Sequence, residues 1–334
     1  MGEAARLATS RLLAELVLDG HWVGTLSSSA LSTATAVVAL RAVDRAGSDH
    51  KHRDLYEGGL RWLTGQQNAD GGWGDTTISK SNISTTALVW AALRGAEKSE
   101  RFQSAIVRAE IWLRHAANDA DEGEGVSPDR LRRAIADRYG RDRTFSVPIL
   151  MHLAICGSIG WDAVMPLPFE LAAFPHQLFG ALQLPVVSYA LPALIAIGQA
   201  IHHHRPSRNP IARGVRNAAR ARTLRVLQSI QPDNGGFLEA TPLTSFVTMA
   251  LASAGQVDHP VTRRGVKFLV DSAGEDGSWA IDTNLSTWVT TLAVKALAYQ
   301  PGVLTPEQRM TLREWLLAQQ YKVEHPYTHA APGG

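Results

Sequence analysis

Few side chains in this 334-residue chain stand at spacings that chemistry demands. Three adjacent histidines, His202-His203-His204, invite a metal. Neighbours on a helix or strand point different ways, however, and no Cys or His follows at zinc-ligand spacing. Cys156 is the single cysteine, so it closes no intrachain disulfide, and its apolar setting, Ala154-Ile155-Cys156-Gly157, predicts a buried, inert thiol. Two sets of carboxylates remain. Asp119-Ala120-Asp121-Glu122 falls in an acidic, glycine-containing loop from Asn118 to Gly125, where water would surround the acids. Asp282, in Ala280-Ile281-Asp282-Thr283-Asn284, is a better-placed lone acid; its competing role is a cap or turn carboxylate before a helix starting near Leu285. No metal site and no diffusible cofactor are expected.

Composition bounds what can position such groups. Hydrophobic residues make up 45% of the chain and charged residues 19%, an ordinary globular balance that excludes disorder, collagen and coiled coil. A formal charge of +2 is too balanced for a protein whose main partner is a nucleic-acid backbone. The N-terminal stretch MGEAARLATSRLLAELVLDG carries acids where a signal peptide needs an apolar core, so no signal peptide is expected.

Self-similarity is the strongest signal. A short phrase recurs as Asp19-Gly20-His21-Trp22, Asp70-Gly71-Gly72-Trp73, Asp233-Asn234-Gly235-Gly236-Phe237 and Asp276-Gly277-Ser278-Trp279. Each is followed by an apolar residue with two hydroxyls (Leu31-Ser32-Thr33, Ile83-Ser84-Thr85, Leu243-Thr244-Ser245, Leu285-Ser286-Thr287) and then by an Ala/Val/Leu-rich run. The hydroxyls suit N-caps and the runs suit helices, so the unit is helix, Gly-rich turn, helix. Separations of 51 residues from Trp22 to Trp73 and 42 from Phe237 to Trp279 fit one helical hairpin per repeat, which must stack on its neighbours to cover its apolar faces. An open solenoid and a closed toroid both satisfy that spacing.

Gly59, Trp62-Leu63, Gln67, Gly71 and Trp73 fit a QW pattern, with a degenerate copy at Gly265, Phe268-Leu269 and Gly277-x-Trp279 that has Ala273 where Gln is usual. In these residues the chain resembles the squalene-hopene and oxidosqualene cyclases. The likeness extends to Gly20-His21-Trp22, to Phe145 through Trp161-Asp162, to Pro168-Phe169-Glu170-Leu171 and to Ser188-Tyr189-Ala190. It implies an all-α fold, an α/α toroid in which Gln67, Trp73, Trp279 and Trp22 are structural staples, the Gln capping a helix start with the Trp stacked over it. It also implies two barrels: a γ-like one over residues 30–280, and an incomplete β-like catalytic one from residues 1–29 and 281–334.

The resemblance further implies a polyprenoid cyclase, an isomerase that carries a linear substrate such as squalene through a carbocation cascade. Family members start that cascade with an Asp-x-Asp-Asp acid. This sequence offers only Asp119-Ala120-Asp121-Glu122 as a near match, and its last QW opening, Arg313 to Gln320, runs to Gly334 without one. The expectation is therefore an N-terminal portion, inactive alone, whose partner is the missing half or a complementary chain; a homodimer is a further option. Carbocations favour aromatic walls. Trp288 and Tyr189 match pocket positions of the family, although Leu191 and Val289 replace the family's Arg and Asp beside them, and Phe246 opens its helix where it could face the cavity.

From Thr144 to His204 there is no Lys or Arg, and prolines 148, 166, 168, 175, 185 and 192 break the stretch; seven arginines, Arg205 to Arg225, follow with no acid until Asp233. An apolar, Pro-broken surface with Phe174, Leu178 and Phe179, beside Arg205 and Arg208, suits a monotopic protein on the cytoplasmic face of a membrane. Two alternatives stand beside the cyclase: a noncatalytic barrel that binds polyprenoid or a partner, and a protein prenyltransferase β-subunit, disfavoured because Cys156 has no neighbouring zinc ligands.

Overall fold

The structure is a computed structural model that describes residues 2–48, 50–119, 125–140, 142–174, 190–325 and 331–333. Among the described residues there are thirteen α-helices, and β-structure is limited to two isolated bridges, Leu16 to Trp22 and Ser28 to Ala280. The chain divides into two compact units, Ser27–Ile281 and the combination of Met1–Leu26 with Asp282–Gly334.

In Ser27–Ile281 two kinds of helix alternate in role, and sequence pattern explains each. The helices α2 (Ala30–Gly47), α4 (Ile83–Arg94), α7 (Arg143–Ile155), α8 (Leu191–His204) and α10 (Thr241–Ser253) are apolar or small nearly all round. A helix with no polar face must be buried on every side. Ser84 to Leu93 of α4 are accordingly buried without a break. The helices α3 (Arg53–Gly65), α5 (Gln103–Ala116), α6 (Pro128–Tyr139), α9 (Pro210–Ser229) and α11 (Pro260–Asp271) are amphipathic. On α11 only Val261, Thr262, Gly265, Phe268 and Leu269 are buried, at the three-and-four spacing of a single stripe.

The first set forms an inner ring. α2 packs on α4, α4 on α7, α7 on α8, α8 on α10, and α10 returns to α2. The second set lies outside, α3 on α2, α5 on α4, α6 on α7, α9 on α8 and α11 on α10. This closed double ring is the α/α toroid that the repeats left undecided against an open solenoid.

The other unit holds α1 (Glu3–Ala14), α12 (Ser286–Leu297) and α13 (Pro306–Ala318). Its core is Trp22, Ala293, Leu297, Leu304 and Leu312. A capping box between Thr305 and Gln308 starts α13. No helix among the described residues is long and apolar enough to cross a membrane.

Candidate binding cavity of the helical ring

The recurring turns set where the inner helices begin. In each, the aromatic residue's backbone N–H donates to a threonine: on the inner ring Trp73 to Thr86 Oγ1 and Phe237 to Thr244 Oγ1, both at 2.9 Å, and Trp279 to Thr33 Oγ1 at 3.0 Å; in the other unit Trp22 to Thr290 Oγ1 on α12 at 2.9 Å. The indole N–H of each Trp reaches the carbonyl ten residues upstream, Trp73 to Leu63 at 2.8 Å, Trp279 to Leu269 at 2.7 Å and Trp22 to Leu12 at 2.7 Å. Thr33 and Thr244, two of the hydroxyls expected to cap helices, are therefore anchors, while Thr86 and Thr290, just beyond the expected clusters, anchor the other two turns. The caps stand one turn earlier: Ser29 accepts from Ser32 N–H, and Asn82 from Thr85 N–H.

Glutamine completes the turn. Gln67 Nε2 donates to Gly71 O at 2.8 Å and to Ala105 O at 2.9 Å, in the first turn of α5. Gln67 thus ties its own turn to the start of α5 through its amide. Gln231 makes the same pair of bonds, to Gly235 O at 2.9 Å and Val261 O at 3.1 Å. It was legible as a glutamine four residues before a turn glycine, but Val226 stands where the pattern wants an aromatic. The turn aspartates are fixed in turn. Burial works to raise Asp70, yet hydrogen bonds from Ser81, Gly72 and Trp112 outweigh it and hold the carboxyl below its usual range. Asp276 is lowered in the same way by Ser278 and Trp62.

With the ring closed, the N-terminal ends of α2, α7, α8 and α10 surround an apolar cavity of about 370 Å³. Its wall includes Leu31, Phe145, Pro148, Ile149, Ala193, Leu243, Phe246 and Ile281, with Tyr139, Thr144 and Asp75 as polar members. The Tyr139 ring stacks on Phe145 with centroids 5.7 Å apart, and its hydroxyl pairs with Ser84 Oγ at 2.7 Å. Asp75 is exposed, and its Oδ1 accepts from Asn82 and Thr85 at the start of α4. The volume falls in the ~300–1,000 Å³ range of small-molecule sites. Such a wall solvates hydrocarbon and offers ring faces to positive charge.

Residues 5–120 match the family model of the squalene-hopene cyclase N-terminal domain. Over these residues the chain is similar to the squalene-hopene-type terpene cyclases. It is 30% identical over 191 residues to the enfumafungin synthase of Hormonema carpetanum, covering 56% of this chain and 12% of that one. It is 29% identical over 198 residues to the squalene hopane cyclase of Aspergillus fumigatus, covering 58% and 22%. Against a terpene cyclase-glycosyl transferase fusion protein of Humicola fuscoatra it is 29% identical over 310 residues, covering 90% and 18%. The chain thus spans less than a quarter of the length of the curated relatives it matches.

In this cyclase-like chain the residues singled out from sequence are scattered. Phe246 lines the cavity, and Trp73 and Trp279 are fully buried in their turns. Trp288 stands on α12 of the other unit with 54% of its surface exposed. Tyr189, Leu178 and Phe179 lie outside the described residues, as do Asp121 and Glu122. Asp119 is not water-surrounded: its carboxylate is 1% exposed, accepts from Ser127 N–H at 2.9 Å and lies 3.7 Å from Arg130. Asp282 is half-buried, its carbonyl accepts from Leu26 N–H, and Asn284 rather than Asp282 takes the N–H of Ser286.

Phe174 is exposed, Arg208 is exposed, and Arg205 donates to Asp162 O at 2.6 Å. His202 is buried against Asn217, while His204 stacks on Trp161 at 4.0 Å. Among the described residues no group of three or more His, Cys, Asp or Glu is placed to hold a metal ion. Cys156 is not in purely apolar surroundings either. Its Sγ sits 3.4 Å from Arg41 Nη2, and burial raises the thiol's pKa against the pull of Arg41 and Arg45.

Proposed function

We propose that Ser27–Ile281 is a polyprenoid-binding barrel of the squalene-hopene type, contributing an aromatic-walled apolar surface to the cyclisation of a linear isoprenoid such as squalene, in a protein that works at a membrane surface. The carrying observation is the apolar cavity at the N-terminal mouth of the closed ring, with Phe145, Phe246 and Tyr139 on its wall. A hydrocarbon chain gains there by leaving water, at roughly 25 cal/mol per Å² of apolar area, and a carbocation gains from the ring faces.

The protonating acid is not assigned to this cavity. Asp75, its one carboxyl among the described residues, is tied to the start of α4 by Asn82 and Thr85. That placement favours binding over proton delivery within Ser27–Ile281, and it is what supports the second reading, a noncatalytic barrel that holds a polyprenoid. A prenyltransferase-like zinc site gains no support, because Cys156 faces Arg41 and Arg45.

Retention of radiolabelled squalene by the detergent-solubilised chain in gel filtration tests the proposal. Phe145 is 55% exposed, so Phe145→Asp charges the cavity wall without burying the new carboxylate in the core. Saturable binding that this variant abolishes, with its helical circular dichroism unchanged, is the expected result. Squalene that fails to bind, or that binds both proteins alike, would refute it.

A further inference from the structure

Three of the turn phrases feed the mouth of the cavity. Asp75 stands two residues past Trp73, Leu238 one past Phe237 and Ile281 two past Trp279, and all three line the wall. The rim is thus built by the chain just after each buried aromatic. Leu238 differs from the other two in its backbone. Its φ is +56°, and that of Glu239 is also +56°, in the left-handed region where an L side chain crowds its own backbone. Among the described non-glycine residues with positive φ (Ser48, His50, Asn118, Leu238 and Glu239), Leu238 alone is apolar.

Such strain persists only where the surroundings fix the chain on both sides. Phe237 is fully buried with its N–H on Thr244 Oγ1, Ala240 N–H donates to Phe237 O at 3.0 Å, and Thr241 N–H donates to Ile281 O at 2.9 Å. The last bond ties the strained pair to the neighbouring rim residue. Strain that served the core would bury the side chain it displaces. Leu238 instead stays 45% exposed on the cavity wall, where glycine would sit without that strain. The fold gives up stability to hold an isobutyl group at the mouth.

We infer that Leu238 is the retention and specificity residue of this cavity. Its side chain packs on the part of a linear hydrocarbon that crosses the rim, which slows exit and limits the bulk that can enter. A half-exposed leucine gains from that contact what it does not gain from the core. The inference rests on the proposed binding of a linear isoprenoid in the cavity and adds the residue that controls its passage.

Release of radiolabelled squalene from the detergent-solubilised full chain, chased with unlabelled squalene, provides the test beside a urea titration. Leu238→Gly and Leu238→Ala should both release squalene about tenfold faster than the wild type. Leu238→Gly should unfold at higher urea than Leu238→Ala, because only glycine relieves the strain; this separates the side chain from the backbone. Glu239→Gly relieves the neighbouring strain away from the wall and should leave release unchanged. Leu238→Trp keeps the strain, enlarges the side chain and should slow squalene entry. Wild-type release from Leu238→Gly and Leu238→Ala overturns the inference while leaving the binding proposal intact. Faster release from Glu239→Gly as well, or unchanged entry into Leu238→Trp, also overturns it. Squalene that does not bind the wild-type chain overturns both.

Discussion

The backbone N–H of Trp279 donates to Thr33 Oγ1 at 3.0 Å across 246 residues, while the equivalent N–H of Trp22 donates to Thr290, 268 residues away, and not to the α2 that follows it in sequence. Each turn thus docks on the other's sequence-adjacent helix. The exchange makes Ser27–Ile281 a ring closed on its own first helix and puts Trp22 with α12 in the other unit. It also corrects the simplest view of the repeats, in which every phrase serves the hydroxyl cluster that follows it.

Removing the anchor should open the ring at that seam. Thr33→Val keeps the shape but leaves the buried Trp279 N–H without its acceptor, a loss of about 1–3 kcal/mol. Hydrogen exchange at the Trp279 amide should accelerate accordingly, and Thr33→Ser should restore most of the protection. Unchanged exchange in Thr33→Val would mean that the bond does not hold the seam.

Gly71 should tolerate no side chain. Its φ is +91°, and an added Cβ would stand 2.8 Å from Arg108 O on α5. Gly71→Ala combines left-handed strain with a backbone collision, so a loss of about 1–3 kcal/mol or more is expected by denaturant titration. Gly125 also has positive φ, +85°, but no described residue lies within 4 Å of its added Cβ, and Gly125→Ala should cost clearly less.

His152 predicts an acid limb in stability. Burial pushes its pKa down to about 3, with Arg41 adding to the effect against the bond to Leu88 O. The unfolded chain binds a proton near pH 6.5 and the folded chain does not, so stability is full above that value. It should fall as pH drops from about 6.5 toward 3, by up to about 1.4 kcal/mol per pH unit from this group. His152→Leu should flatten that limb, which titration by urea at a series of pH values would show.

Cys156 and Arg41 predict a shifted alkylation profile. Burial raises the thiol and Arg41 opposes the rise. Arg41→Met removes the cation, so the rate of iodoacetamide reaction plotted against pH should move to higher pH. A profile that stays in place would show that the guanidinium does not act on the sulfur.

The all-helical ring was legible because its turns repeat: the phrase at Asp70 to Trp73 carries the same bonds as that at Asp276 to Trp279. Which helix each turn anchors was not, since spacing along a chain cannot distinguish Thr33 from Thr290 as the partner of Trp22. Gln231 was missed where Val226 breaks the aromatic pattern. The cavity was only partly visible. Phe246 follows a turn phrase, whereas Tyr139 and Phe145, which stack on one another, come from α6 and α7, outside any repeat, and share a wall with Phe246 only through the ring. The Arg41 contact to Cys156 joins residues 115 apart on a helix that composition marks as apolar.

Photolabelling with a diazirine-bearing linear polyprenoid, followed by peptide mass spectrometry, tests the binding claim most directly. The cavity predicts adducts on the peptides that contain Phe145 and Phe246, competed away by squalene. Competable labelling that leaves both peptides untouched, such as adducts confined to the α12 peptide with Trp288, would contradict it.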